Sequence, residues 1–270
     1  SEFIFPYKKI QLELSARRTI NQMFDNNNSH RVGATYKINK GKIFANHARA
    51  FKNPTFTERY GYYPGTFNGN ENLKPESIKQ IEFGYFKSFF ENKLNISQTY
   101  YNMKLMNEIN GFTSDGNGGY TALNMTNKSY RKGLETQIEM FINNNSKVTL
   151  KHDYVDSTQF DSTAKKQISE VRRPKNVLNL IYENNFSNHI FLSANILYST
   201  KIKDTNFTSY PYETVFLSDY ALANAKINYN LDRNHTISFI FNNIFNRKYN
   251  EVYGYNNTGF EFQMNFSRYF

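Results

Sequence analysis

Residues 259–270 read GFEFQMNFSRYF and alternate between apolar and polar side chains. One set of positions is apolar and the other polar: Phe260, Phe262, Met264 and Phe266 against Glu261, Gln263, Asn265 and Ser267. A β-strand points successive side chains to opposite faces, whereas a helix would spread these residues around its axis. The stretch therefore predicts a strand with one apolar and one polar face.

The same alternation recurs along the chain. It is clearest in KIQLELSA (9–16), HRVGATYKI (30–38), KGLETQIEM (132–140) and ALANAKINYN (221–230). Because each segment keeps a period of two over eight residues or more, we predict an all-β protein with long amphipathic strands.

Two kinds of connection alternate between these segments. The short polar turns lie at 39–42, 90–93, 143–146, 184–188 and 232–235, and the long connections at 51–76, 105–128, 157–172, 203–216 and 247–258. Counting the segments between them gives about twelve antiparallel strands of roughly 9 to 14 residues. Long strands with short turns at one end and long loops at the other are typical of an outer-membrane β-barrel. A soluble β-sandwich also alternates, but its strands usually have about 5 to 6 residues.

Composition limits the other classes. The chain has 270 residues, a net charge of +10, and no Cys, which excludes disulfides and thiolate metal sites. No apolar run is long enough for a transmembrane helix. The basic residues are spread evenly over strands and loops, which favours contact with acidic lipid over nucleic acid.

The longest connection, FKNPTFTERYGYYPGTFNGNENLKPE (51–76), carries a recognisable motif. It resembles a stretch of the TonB-dependent outer-membrane transporters, in which F-x-x-P-x-x-x-E-x-Y leads through an aromatic loop to N-x-N-L-x-P-E. The matching family motif residues are Phe51, Pro54, Glu58, Tyr60, Asn70, Asn72, Leu73, Pro75 and Glu76.

Three later segments agree with the same family. SYRKGLETQIEM (129–140) and FNNIFNRKYNEV (241–252) resemble two of its strands, and the chain ends in an aromatic residue, Phe270. The basic stretch EVRRPKNVLNLIY (170–182) is similar to members related to the cobalamin and haem transporters, which favours cobalamin as the ligand. Arg172, Arg173 and Lys175 fit a basic girdle that meets acidic lipopolysaccharide equally well.

The resemblance implies that this chain is the C-terminal half of a plugged barrel of about 22 strands. We expect residues 1–270 to be barrel, with the plug domain and the earlier strands absent from this chain. Short turns would face the periplasm and long loops the outside of a Gram-negative bacterium. Phe270 would serve as the assembly signal that the barrel-assembly machinery recognises.

The implied function is import of a scarce metal chelate, such as cobalamin, a ferric siderophore or haem, across the outer membrane. TonB would energise it through the missing plug. The candidate ligand contacts are exposed aromatic and Arg residues of the extracellular loops: Arg59, Tyr60, Tyr62, Tyr63, Phe67, Tyr253 and Tyr255. Tyr and Phe also form the interfacial girdles of such barrels, so either role fits each tyrosine. A self-contained twelve-stranded channel or autotransporter-type translocator is the alternative.

Enzymatic chemistry is not indicated. The five His residues (His30, His47, His152, His189 and His235) show no metal-binding spacing, and no catalytic motif is present. We therefore expect no catalytic residue, no metal site and no cofactor. The expected partners are outer-membrane lipid and lipopolysaccharide, the chelate, TonB and the assembly machinery, with no nucleic acid.

Overall fold

A computed structural model describes residues 2–24, 26–161, 165–208 and 210–269. The strands in chain order are β1 (Glu2–Tyr7), β2 (Ile10–Thr19), β3 (Asn27–Ile38), β4 (Gly41–Lys52), β5 (Gly61–Tyr62), β6 (Phe67–Asn68), β7 (Glu76–Phe89), β8 (Leu94–Met106), β9 (Ile109–Ser114), β10 (Tyr120–Asn124), β11 (Ser129–Phe141), β12 (Ser146–Asp161), β13 (Lys166–Ser169), β14 (Asn176–Asn185), β15 (Ile190–Ser199), β16 (Ile202–Asn206), β17 (Glu213–Leu217), β18 (Tyr220–Asn230), β19 (His235–Asn242) and β20 (Glu261–Arg268). One short helix, α1 (Phe56–Tyr60), and a 3₁₀ turn at Phe90–Asn92 complete the elements. Among the described residues, no helix has the length and apolar character needed to cross a membrane.

The predicted fold class is confirmed. Strands that are neighbours in the main sheet follow chain order, from β1 through β4, β7, β8, β11, β12, β14, β15, β18 and β19 to β20. Twelve of these strands in the described part of the chain have eight or more residues, which agrees with the count expected from the sequence. The thirteenth, β1, is a six-residue strand at the edge.

The chain forms two compact units. The first comprises Ser1–Gly84, Tyr100–Lys132 and Ser157–Ser169, and the second Tyr85–Thr99, Gly133–Asp156 and Glu170–Phe270. In the first unit, β1 to β4 pair antiparallel in unbroken register. In the second, β12, β14, β15, β18, β19 and β20 pair in the same manner.

Burial along the strands is the reverse of that in a soluble protein. In β2, the apolar residues Ile10, Leu12 and Leu14 are exposed, whereas Gln11 and Glu13 between them are partly covered. The predicted lipid-facing residues of the last strand are likewise at least half exposed: Phe260, Phe262, Met264 and Phe266. In β2 the apolar side chains thus lie on the exposed face, as contact with lipid would require, whereas in β20 the polar Gln263 and Asn265 are exposed as well.

The long connections contain elements that the sequence did not predict. Between β4 and β7 lie α1, β5 and β6, and between β8 and β11 lie β9 and β10. The region around 203–216 is a hairpin of β16 and β17. These strands have only two to six residues, too few for a readable alternation.

Candidate functional site

The connection between β4 and β7 has a fixed backbone. Thr55 and Glu58 form a capping box at the start of α1: the Glu58 N–H donates to Thr55 Oγ1 at 3.2 Å, and the Thr55 N–H donates to Glu58 Oε2 at 2.7 Å. The sequence TFTE is the signature of this cap. The motif residue Glu58 therefore starts a helix.

Residues 53–75 and 107–128 fold together, and we call them the loop layer. They share a four-stranded sheet in the order β5, β6, β10, β9, in which Tyr120 lies opposite Phe67. Phe67, Leu73 and Ala122 form its buried core. Two of the predicted extracellular loops are thus one small structured body.

Asparagine side chains hold the two halves of the loop layer together. Asn70 donates from Nδ2 to the Ala122 carbonyl at 2.9 Å. Asn124 accepts the Lys74 N–H at 2.7 Å and donates to the carbonyls of Lys74 and Asn107, both at 2.8 Å. These side chains satisfy backbone groups that have no strand partner.

Three of the predicted ligand-contact residues lie exposed on the loop layer. Tyr60, Tyr62 and Tyr63 are 48%, 50% and 75% exposed. Phe56, which sequence reasoning missed, is also exposed and stacks on Tyr60 with ring centroids 6.2 Å apart. Phe67 is buried beneath Tyr62, whose ring stacks on it at 5.4 Å. Phe67 therefore supports the exposed rings from below.

Arg59 lies buried within the same region. Its guanidinium stacks over the Phe24 ring at 4.7 Å, and Nη1 donates to the Met23 carbonyl at 2.7 Å. These contacts join the β2–β3 connection to the loop layer. A direct contact between Arg59 and a ligand stays a prediction, and the packing gives this side chain a structural role.

The other motif residues also stabilise the loop. Pro54, Leu73 and Pro75 are buried. Glu76 accepts the Ile109 N–H at 2.7 Å and pairs with Lys52 at 3.2 Å.

The remaining motif positions lie nearer the surface. Phe51 is partly buried near the end of β4, and the Asn72 N–H donates to Asn70 Oδ1 at 3.0 Å. The motif of 51–76 thus fixes the backbone that presents the tyrosines.

In the second unit, Asp204 of β16 joins three loop segments. Its buried carboxylate accepts from Arg172 Nε at 2.9 Å, from the Thr205 N–H at 2.8 Å and from the Tyr253 N–H at 2.7 Å. Burial raises the pKa of this carboxyl, but the hydrogen bonds from Tyr253, Thr205 and Arg172 outweigh it, so the pKa lies below its usual value. Asp204 is therefore ionised at neutral pH, and its stabilising effect is lost only as the pH falls through the lowered pKa.

Tyr253 and Tyr255 lie in the loop between β19 and β20, 39% and 71% exposed. The β16–β17 hairpin adds an exposed aromatic cluster that the sequence analysis did not single out, formed by Phe207, Tyr210 and Tyr212. Only the spacing of aromatic residues near a Pro would have indicated it.

The cations of the basic stretch 170–175 form ion pairs within the chain. Arg172 pairs with Asp204, Arg173 with Glu170, and Lys175 with Asp156 at 4.0 Å. These ion pairs give the three cations a structural role in the loops. The two roles suggested by the sequence, a mark of the cobalamin and haem branch and a girdle that meets lipopolysaccharide, stay predictions.

The comparisons with known proteins agree with this architecture. A family model described as TonB dependent receptor-like, beta-barrel, matches residues 2–244. The chain belongs to this receptor family.

Similar proteins are named as a transporter and as receptors. The vitamin B12 transporter BtuB of Vibrio cholerae is 24% identical over 245 residues, which cover 90% of this chain and 37% of the transporter. The siderophore receptor PirA of Acinetobacter baumannii has a TM-score of 0.77 at 16% identity, covering 97% of this chain and 44% of PirA. A ferric enterobactin receptor (PfeA) mutant of Pseudomonas aeruginosa, in complex with enterobactin, has a TM-score of 0.77 at 20% identity, with 97% and 43% covered. The chain thus spans less than half the length of these relatives.

In this member of the receptor family, the described residues contain no cluster of three or more His, Asp or Glu side chains placed to hold a metal ion. What the loops offer is a fixed backbone with exposed rings. Such a surface suits binding of a bulky ligand through contact area.

Proposed function

We propose that this chain is part of the β-barrel of an outer-membrane importer that takes up a bulky metal chelate in a Gram-negative bacterium. The candidate chelates are cobalamin, a ferric siderophore and haem. Membership of the TonB-dependent receptor family and the names of the similar transporters support this proposal. A transporter's role also fits the lack of any catalytic motif in the sequence.

The share of the similar proteins that this chain spans supports a whole protein with further parts. Because the chain spans 37% to 44% of the similar proteins, we propose that a plug and further strands lie outside these 270 residues. TonB would act through that plug, and the barrel-assembly machinery would insert the strands.

One observation carries the binding proposal: the loop layer combines a rigid backbone with exposed tyrosines. Gly69 lies so close to the Arg59 carbonyl that a Cβ atom there would be 2.2 Å from its oxygen. This close packing against Arg59 and Gly61 fixes the backbone that leads to Tyr60 and Tyr62. Little ordering entropy is then lost when a ligand binds, which favours affinity.

The test is the double substitution Tyr62→Ala and Tyr63→Ala. Uptake of cobalamin and of a panel of ferric chelates is measured and normalised to the amount of folded barrel. We expect the apparent affinity for the chelate, obtained from normalised uptake, to weaken by about 1 to 3 kcal/mol, because two aromatic contact surfaces are lost. Barrel stability should change little, since both residues lie outside the long strands.

Tyr7→Ala is the matched control, because Tyr7 is 66% exposed but lies at the turn end of β1. It should leave normalised uptake unchanged. If the loop double variant only inserts poorly, and its normalised uptake equals that of the native protein, the two tyrosines belong to the girdle and not to the binding site.

A further inference from the structure

The polar face of β2, β3 and β4 carries two arginines side by side. Arg17 of β2 lies opposite Ser29 of β3, and Arg31 of β3 lies opposite Ser15 of β2. Residues that pair across antiparallel strands share one face of the sheet, so both arginines lie on the face opposite to that of the exposed Leu14. They are diagonal neighbours, about 7 Å apart, which is within reach of long side chains.

The two arginines line a pocket of about 460 Å³, which we call the arginine pocket. The residues between and beside them on this face have small side chains: Ser15, Ser29, Ala48 and Ala50. Glu2 of the edge strand β1 is the one carboxylate among the described residues that line the pocket. Ligand sites in proteins have volumes of about 300 to 1,000 Å³, so the arginine pocket has room for part of a bulky ligand.

The charges of the arginine pocket are not neutralised within the described part of the chain. Both arginine side chains are exposed, and neither forms an ion pair with another described residue. Glu13, on the same face of β2, accepts its hydrogen bond from Gln11 at 3.0 Å. Like charges at neighbouring positions of a sheet repel each other, so an anion bound between Arg17 and Arg31 would stabilise this arrangement.

The polar face changes sign in the row below the arginine pocket. Glu13 lies opposite Gly33, which lies opposite Asn46. The Asn46 side chain donates to Glu82 at 3.2 Å, so two carboxylates belong to this row. An anion is attracted by the arginines and repelled by the carboxylates, which confines anion binding to the pocket itself.

The arginine pocket and the loop layer lie at the same end of the sheet. Arg17 is close to the end of β2 at Thr19, and Met23 in the connection that follows accepts a hydrogen bond from Arg59 of the loop layer at 2.7 Å. The pocket and the loop layer also belong to the same compact unit. In the proposed orientation, the polar face borders the lumen, so a chelate that leaves the loop layer inward would meet the pocket.

We propose that Arg17 and Arg31 bind an anionic group of the imported ligand, and that this ligand is a ferric chelate with net negative charge. A guanidinium presents its N–H donors in a planar fork that suits paired oxygen atoms, such as those of a carboxylate or a catecholate. A ferric tris-catecholate fits this chemistry, because each catecholate carries two negative charges and the complex is a trianion. The inference rests on the proposed function, since it names the substrate class of the same importer.

The test compares two double variants of the intact protein purified from outer membranes. Arg17→Gln with Arg31→Gln removes two cations of the arginine pocket, and Arg18→Gln with Lys79→Gln removes two from the opposite face. Binding of a ferric tris-catecholate and of a neutral ferric tris-hydroxamate is titrated with each protein. We expect the first pair to weaken tris-catecholate binding by roughly 30-fold and tris-hydroxamate binding by less than about threefold. The second pair should change the binding of either chelate by less than about threefold.

The inference is overturned if the first pair weakens the binding of both chelates equally, because contact area and not charge would then be lost. Unchanged tris-catecholate binding would also overturn it, and is the result expected if an acidic segment of the plug fills the pocket. Arg17→Lys with Arg31→Lys should retain more of the tris-catecholate affinity than the Gln pair does, because both charges are kept.

The native protein gives a result even if a variant fails to fold. It should bind the tris-catecholate more tightly than the tris-hydroxamate, by a margin that falls as salt is added, because salt screens exposed charges. Equal or tighter binding of the tris-hydroxamate would overturn the inference and leave the importer proposal intact. If neither chelate binds, and cobalamin does not bind either, the proposed function is contradicted together with the inference.

Discussion

Single polar and glycine residues stabilise the backbone conformation of the loops in this protein. Asn70 and Asn124 hydrogen-bond backbone groups that lack a strand partner, and Asn243 does the same between β19 and β20 by donating to the Arg247 carbonyl at 2.9 Å. A buried backbone group without a partner costs about 1 to 3 kcal/mol, which applies to the buried Ala122 carbonyl that Asn70 satisfies, whereas the bonds of Asn124 are exposed and contribute less. These three asparagines therefore have a structural role in their loops.

Gly69 offers the sharpest test at this scale. In Gly69→Ala, the new Cβ would lie 2.2 Å from the Arg59 carbonyl oxygen and 2.4 Å from the Gly61 nitrogen, both backbone atoms. We expect the loop layer to lose about 1 to 3 kcal/mol of stability, seen as faster protease cleavage between residues 53 and 75 in outer membranes. Gly111→Ala is the control, because its Cβ would meet no atom within 4 Å. Equal cleavage of both variants would show that the close approach at Gly69 is not needed.

At the scale of elements, the sequence predicts the long strands but not the small ones. Alternation over eight or more residues predicts a strand and its apolar face, as β2 shows with exposed Ile10, Leu12 and Leu14. The two residues of β5 or β6 contain no period, and their pairing depends on Phe67 and Ala122 packing together from segments more than 50 positions apart. The burial of Arg59 and of Asp204 cannot be predicted from the sequence either, because most of their partners are distant in sequence.

The last strand allows a test of the two faces. Phe262 lies opposite Phe241, which lies opposite Ala225 in the middle of β18. Phe262→Arg would place a charge on the lipid-facing side near mid-membrane, and we expect it to destabilise the barrel by about 2 to 4 kcal/mol in urea unfolding. Gln263→Arg, one residue along on the polar face, should cost less than 1 kcal/mol. Larger destabilisation by Gln263→Arg would reverse the assignment of the faces.

At the scale of the whole molecule, the strands identify the family, and we propose that the loops select the ligand. The match of residues 2–244 to the family model establishes the receptor family, and solved receptors with at most 20% identity share the strand arrangement. The exposed rings of the loop layer and of the β16–β17 hairpin are the surface on which a ligand would be distinguished. Phe270 lies outside the described residues, and its role in assembly stays a prediction.

Energy coupling separates an importer from a passive channel. If the plug transmits force from TonB, cells without TonB should still bind the chelate at the surface but should accumulate none inside. In the proposed mechanism, binding would depend on the loop layer, whereas release inward would require work on the plug. Surface binding and internal accumulation are measured in the same cells with labelled cobalamin or a labelled ferric chelate, with and without TonB. Accumulation that continues at the same rate without TonB would favour a self-contained channel and contradict the proposed import mechanism.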